Sequence, residues 1–69
     1  MKNREIYVTE VEQESYDLAG QLTLANVRTH VEPRMDKHGK PFYVVLVDAP
    51  EAFNRSLNIR KKMFGSFGQ

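Results

Sequence analysis

The chain has 69 residues, which is enough for one small domain, 1–69, with a modest core. It contains no cysteine, so disulfide bonds and thiolate metal sites are excluded, and the composition favours a reducing compartment, the cytoplasm. No stretch approaches the roughly 18 apolar residues of a membrane helix. The charged N-terminus is unlike a secretory signal, so no membrane partner is expected.

The net charge of +1 hides an uneven distribution along the chain. Residues 1–32 contain three basic and six acidic residues, a net charge of −3, whereas residues 33–69 contain seven basic and three acidic residues, a net charge of +4. Mixed charge is ordinary on a protein surface. The separation nevertheless allows one acidic and one basic patch that could steer a partner or a second copy.

Residues 4–12 favour a β-strand, because β-branched and aromatic side chains dominate this run. Regular alternation would place Ile6 and Val8 on one face of the strand and Tyr7 and Val11 on the other.

Acidic residues occupy every second position at the end of this strand and beyond it: Glu10, Glu12 and Glu14. They suit a solvated sheet edge, or an acidic surface that meets a basic groove on a partner. Residues 13–20 are polar and end at Gly20, which favours a connection, with one helical turn that Ser15 could cap.

Residues 21–33 fit two interpretations. A helix would align three apolar residues: Leu18, Leu22 and Ala25. The alternation of β-branched residues from position 27 to position 31 instead favours a strand that has a bulge near Ala25 and ends at Pro33. We take the strand as the prediction.

The segment MDKHGK, residues 35–40, predicts a tight turn between two strands. Asp36 suits the first position of a turn and Gly39 suits a left-handed position. A β-hairpin is the simplest interpretation, and its tip would carry three side chains: Lys37, His38 and Lys40.

Residues 41–48 predict a strand that is apolar on both faces. Alternation places two sets of side chains on opposite faces, Phe42, Val44 and Leu46 against Tyr43, Val45 and Val47. One helix can cover only one face of a small sheet, so the other face would need a partner. The candidate protein interface is the set Tyr43, Val45 and Val47, or the opposite set if the helix packs on these residues, and a second copy in a homodimer or another protein would cover it.

Residues 49–64 predict an amphipathic helix, because their apolar side chains occupy an arc of about 160° at 100° per residue. Asp48 is the predicted N-cap and Pro50 falls in the first turn. Gly65 is the predicted C-cap, and residues 65–69 form a tail.

The chain contains no recognisable catalytic or metal-binding pattern. His30 and His38 lack the HxH or HExxH spacing of metal sites. The serines have no recognisable neighbouring base for nucleophilic catalysis, and the phosphate-loop pattern GxxxxGK[ST] is absent. We therefore expect a protein that is not an enzyme and that holds no cofactor and no metal.

Nucleic-acid binding is the alternative function, and it would depend on eight residues of the hairpin, the strand before it and the C-terminal helix: Arg28, His30, Arg34, Lys37, Lys40, Arg55, Lys61 and Lys62. A net charge of +1 is low for such a protein. The nearby aromatic residues Phe42 and Tyr43 are better explained as core than as a platform for stacked bases.

Together these patterns predict a small α+β domain, a three-stranded antiparallel β-meander with a C-terminal amphipathic helix. The predicted strands cover about 4–12, 21–33 and 41–48, and the predicted helix covers about 49–64. The predicted function is a small regulatory or adaptor protein that binds another protein through an exposed sheet face and forms a homodimer.

Overall fold

The computed structural model describes residues 4–48 and 50–65 of the chain. Six elements follow one another in this order: β1 Arg4–Thr9, α1 Glu12–Leu24, β2 Thr29–Met35, β3 Pro41–Val47, a 3-10 turn Pro50–Ala52 and α2 Phe53–Phe64. The three strands form one antiparallel sheet. The α+β class, the three-stranded sheet and the C-terminal helix are thus confirmed.

The order of the strands in the sheet is β1-β3-β2, which differs from a meander. In a meander β1 and β2 would be joined by a hairpin and would pair directly. Here α1 connects β1 to β2, which lie at the two edges of the sheet. The strand β3 lies between them and pairs with both.

The helix α1 replaces the first half of the predicted strand at 21–33. Leu18 and Leu22 are both 0% exposed. The helical interpretation, which aligned these two residues on one face, is therefore correct for the first part of the segment. Ser15 does not cap a helix, because it lies inside α1 and its hydroxyl donates to the Glu12 carbonyl at 2.6 Å. Gly20 lies on the exposed side of α1, where it lowers helix stability without ending the helix.

A bulge in β1 breaks the predicted alternation of that strand. Glu5 pairs with Leu46 and Tyr7 pairs with Val45, so Ile6 is the extra residue between them. Ile6 and Tyr7 are consequently both buried in the core, although they are adjacent in the sequence.

The predicted hairpin is confirmed, with β2 and β3 paired along their whole length. The Asp36 carboxylate accepts hydrogen bonds from the backbone N–H groups of His38 at 2.8 Å and Lys40 at 2.9 Å. Gly39 has φ +80°, the left-handed conformation that a residue without Cβ adopts at low cost.

The start of α2 differs from the prediction. The N-cap is Ala52, and Asp48 does not cap the helix, because its backbone N–H donates to the Arg28 carbonyl at 3.0 Å and its carboxylate lies 3.7 Å from the Arg28 guanidinium. The C-cap Gly65 is confirmed, with its N–H donating to the Lys61 carbonyl at 2.7 Å. The predicted start at Ala49 and the tail after Gly65 lie outside the described residues.

Both helices pack on the same face of the sheet and contact each other. The core between the helices and the sheet is formed by eight buried side chains: Ile6, Tyr7, Leu18, Leu22, Val27, Val45, Val47 and Ala52. The sheet therefore has one face that the helices cover and one face that they do not.

Candidate protein-binding surface

The structure places the predicted interface on the helix-covered face of the sheet. Val45 and Val47 are 0% exposed and belong to the core, and Tyr43 is half-buried. The assignment of the uncovered face is therefore reversed, because the sequence contains a second helix, α1, that packs beside α2 on this side.

The opposite face of the sheet, here called the helix-free face, carries the other alternating set of each strand. The strand pairing brings together side chains from β1, β3 and β2: Glu5, Val8, Phe42, Val44, Leu46, His30, Glu32 and Arg34. Within the described residues, neither helix packs on this face, and its central residues Val44 and Leu46 do not belong to the core. They are nevertheless only 0% and 6% exposed.

Among the described residues, the side chain of Arg34 crosses the helix-free face close to Val44. The Arg34 guanidinium donates to Glu5 on β1 at 3.0 Å and to Glu32 on β2 at 2.8 Å. Because β3 lies between β1 and β2, the side chain of Arg34 crosses the central strand above Val44. The aliphatic part of an arginine covers apolar surface while its charged end stays in water.

The positive charge of Arg34 is fixed at ordinary pH. Hydrogen bonds to Glu32 and to Glu5 raise the pKa of Arg34 above its already high ordinary value. Both ion pairs are partly exposed, with 40% of the Arg34 side chain in contact with water, so each pair stabilises the fold weakly. The cover over Val44 can therefore move aside at low cost.

Apolar surface remains exposed beside this cover. Val8 is 41% exposed on β1, and Phe42 is half-buried at the start of β3. The helix-free face thus has an apolar row along its central strand with charged residues on both sides.

The structure does not gather the eight basic or titratable residues of the nucleic-acid alternative on one surface. His30 and Arg34 lie on the helix-free face, Lys37 lies at the hairpin tip, and three residues lie on α2, on the other side of the sheet: Arg55, Lys61 and Lys62. Arg28 and Lys40 are paired with acidic residues, Lys40 with Glu10 at 3.4 Å. Nucleic-acid binding stays a prediction without a common basic face.

The acidic residues at every second position are also separated. Glu10 pairs with Lys40, whereas Glu14 accepts hydrogen bonds from the hydroxyls of Tyr7 at 3.1 Å and Thr9 at 2.8 Å. Burial, with the hydrogen bond to Glu14 and the negative charge of Glu14, raises the pKa of Tyr7 above its ordinary value. This cluster joins α1 to β1, and the sequence did not predict it because α1 was interpreted as a connection.

Among residues 4–48 and 50–65, no group of three or more His, Cys, Asp or Glu side chains is placed to hold a metal ion. In the same part of the chain, no helix has the length and apolar character needed to cross a membrane.

Comparisons with known protein families, with curated proteins and with solved structures find no match to this chain. The function of the chain is therefore inferred from the helix-free face itself.

Proposed function

We propose that this chain is a small non-enzymatic regulatory or adaptor protein, located in the cytoplasm, that binds another protein through the helix-free face of its sheet. The observation that carries the proposal is the apolar row of Phe42, Val44 and Leu46, on which neither helix of the described residues packs and which the side chain of Arg34 crosses. Val8 extends this row to the edge strand and is exposed to water. Exposed apolar surface with a polar rim is typical of protein interfaces.

The occupant that fits this face is one amphipathic helix of the partner protein. Neighbouring strands lie about 4.8 Å apart, so the outer strands of this sheet are about 10 Å apart, which matches the diameter of one α-helix with its side chains. The apolar row from Phe42 to Leu46 is about 13 Å long, which corresponds to two or three helical turns. A stripe of apolar residues on such a helix would replace the aliphatic chain of Arg34 above Val44.

The charged rim of the face would set the orientation of that helix. Glu5 and Glu32 are acidic, and Arg34 is basic, so an incoming helix needs both signs of charge beside its apolar stripe. Arg34 can exchange its intramolecular carboxylates for a carboxylate of the partner. This exchange costs little because exposed ion pairs contribute weakly.

Site-directed photocrosslinking in the cells that produce the chain tests this proposal. A photoreactive residue at Val8 is expected to form a discrete adduct with another protein, and mass spectrometry should locate the crosslink on an amphipathic helix. The matched control is the same residue at His38, which is exposed at the hairpin tip and should form no such adduct. A partner that crosslinks equally from both positions, or no adduct from Val8, contradicts the proposal.

A further inference from the structure

The outer surface of the helical layer is divided into an acidic and a basic half. Every charged side chain of α1 is acidic, and the exposed ones include Glu12 and Asp17. Every charged side chain of α2 is basic, and three of them are exposed: Arg55, Lys61 and Lys62. Because α1 and α2 lie side by side on the sheet, the two charge types form neighbouring strips.

These exposed charges form no ion pair within the described residues, and Asp17 accepts a hydrogen bond from the Gln13 amide at 2.8 Å. Within residues 4–48 and 50–65, no ion pair joins Glu12 or Asp17 to a cation, and none joins the three exposed basic residues of α2 to a carboxylate. The exposed face of α1 also carries two large apolar side chains, Tyr16 at 52% exposure and Leu24 at 79%.

The two helices run in opposite directions, and their charged residues lie at matching positions along the helix axes, here called heights. The helix α1 ends near the start of β2, whereas α2 starts after the end of β3, and these strand ends are paired through Thr29 and Val47. Tyr7 fixes the relative height, because its hydroxyl bonds to Glu14 of α1 and its ring stacks on Phe64 of α2 with centroids 4.6 Å apart.

Equal steps along the helices then place an acidic residue level with a basic one. Asp17 lies three residues after Glu14 and Lys61 lies three residues before Phe64, which is about 4.5 Å along each axis in the same direction. A two-fold axis parallel to the helices preserves height and exchanges the two strips. It therefore brings Asp17 of one copy opposite Lys61 of the other, twice in the same interface.

We propose that two copies of this chain pair through their helical layers, with α1 of each copy against α2 of the other. Tyr16 and Leu24 supply the apolar contact, and the exposed charges specify the pairing. In this dimer the two helix-free faces point away from each other, so both remain available to other proteins. The pairing itself does not depend on what binds the helix-free face.

The size of the helical layer sets the expected strength of pairing. The helices have 13 and 12 residues, so two of them side by side form a surface of about 20 by 20 Å. Pairing would cover about 400 Å² on each copy, or about 800 Å² in total, which is below the roughly 1,200–2,000 Å² of stable specific interfaces. We therefore expect a weak dimer, weakened further at about 1 M salt, where the screening length is about 3 Å.

Two charge-reversal variants, one for each helix, test the proposal when their dimerisation is measured by sedimentation velocity. The variant Lys61→Glu/Lys62→Glu is acidic on both strips, and the variant Glu12→Lys/Asp17→Lys loses the acidic strip and gains basic charge. Each variant alone should dimerise about tenfold or more weakly than the wild type, because like charges now meet across the interface. An equimolar mixture of the two variants should restore the dimer, since both halves of the mixed interface are complementary.

A hairpin variant, Lys37→Glu/Lys40→Glu, provides the control, because it changes the charge equally and should dimerise like the wild type. If Glu12→Lys/Asp17→Lys fails to fold, Asp17→Lys/Gln21→Lys leaves the first turn of α1 intact and serves the same purpose. A wild-type chain that stays monomeric at high micromolar concentration and low salt overturns the proposal. So do single variants that dimerise normally, or a mixture that does not restore pairing.

Discussion

The two faces of the sheet exclude water from the central strand in different ways. Val45 and Val44 are adjacent in the sequence and both are 0% exposed. Val45 lies in the core beneath the helical layer, whereas Val44 lies on the helix-free face, which the side chain of Arg34 crosses through partly exposed ion pairs. Equal burial therefore does not mean equal protection, because a packed layer moves only when the protein unfolds and a single side chain can move alone.

The contrast also separates the face that stabilises the fold from the face that we propose binds a partner. The helix-covered face provides the apolar burial that stabilises a chain of this size, at roughly 1.5–3 kcal/mol for each large side chain. The helix-free face keeps a smaller apolar row closed in the free protein and can present it to a partner.

A lysine at each of the two adjacent valines should give the largest difference. Val45→Lys places an ammonium group among the core residues beneath the helices, which costs several kcal/mol and should leave the protein unfolded. Val44→Lys can extend into water on the helix-free face by displacing Arg34. Circular dichroism should show a cooperative thermal transition for Val44→Lys and none for Val45→Lys, and equal behaviour of the two variants would contradict the contrast.

Truncation of one apolar residue on each side should give a smaller difference. Leu18→Ala removes a residue that is 0% exposed in the core and should cost about 2–5 kcal/mol. Val8→Ala removes a residue that is 41% exposed on the helix-free face and should cost well under that amount. Urea denaturation measures both, and the contrast fails if Val8→Ala destabilises the protein as much as Leu18→Ala.

Two substitutions of Arg34 distinguish its aliphatic chain from its charge. Arg34→Ala should lower the melting temperature and increase the binding of a hydrophobic dye, because Val44 becomes exposed. Arg34→Met keeps a long apolar chain over Val44 and should restore most of the lost stability. If both variants lose the same stability, the ion pairs with Glu5 and Glu32 account for the role of Arg34.

The smallest effect concerns Tyr7 at high pH. Since the pKa of Tyr7 is raised in the folded state, its contribution to stability is complete below its unfolded value of about 10 and is lost as the pH rises through the folded value. Tyr7→Phe cannot ionise, so its urea midpoint should fall less than that of the wild type between about pH 8 and pH 11. Equal decreases of the urea midpoint in the two proteins would show that ionisation of Tyr7 does not cause the loss of stability.

Local patterns in the sequence predicted the hairpin and most of two strands. Asp36 and Gly39 determine a turn through their own hydrogen bonds and dihedral angles, so no knowledge of the rest of the fold is needed. The Gly65 C-cap was predicted for the same reason. The bulge at Ile6 could not be predicted, because it allows two adjacent residues to face a core whose position depends on both helices.

The helix α1 is the main difference between the predicted and the observed fold. Leu18 and Leu22 carry a helical signal, but Gly20 and the alternation after Ala25 oppose it. Without α1, the pattern places the uncovered face on the wrong side of the sheet. The expectation that the second face needs a partner also ignored Arg34, whose contact with Glu5 requires the strand order β1-β3-β2.

The rate of thiol labelling tests the contrast between the two faces most directly, because the chain has no cysteine of its own. Two variants with a single cysteine, Val44→Cys and Val45→Cys, would be treated with a thiol reagent under native conditions, with and without low concentrations of urea. We predict that the cysteine at position 44 reacts faster, with little dependence on urea, through motion of Arg34 alone. The cysteine at position 45 should react only through global unfolding, at a rate that rises steeply with urea. Equal rates with equal urea dependence at both positions would contradict the account.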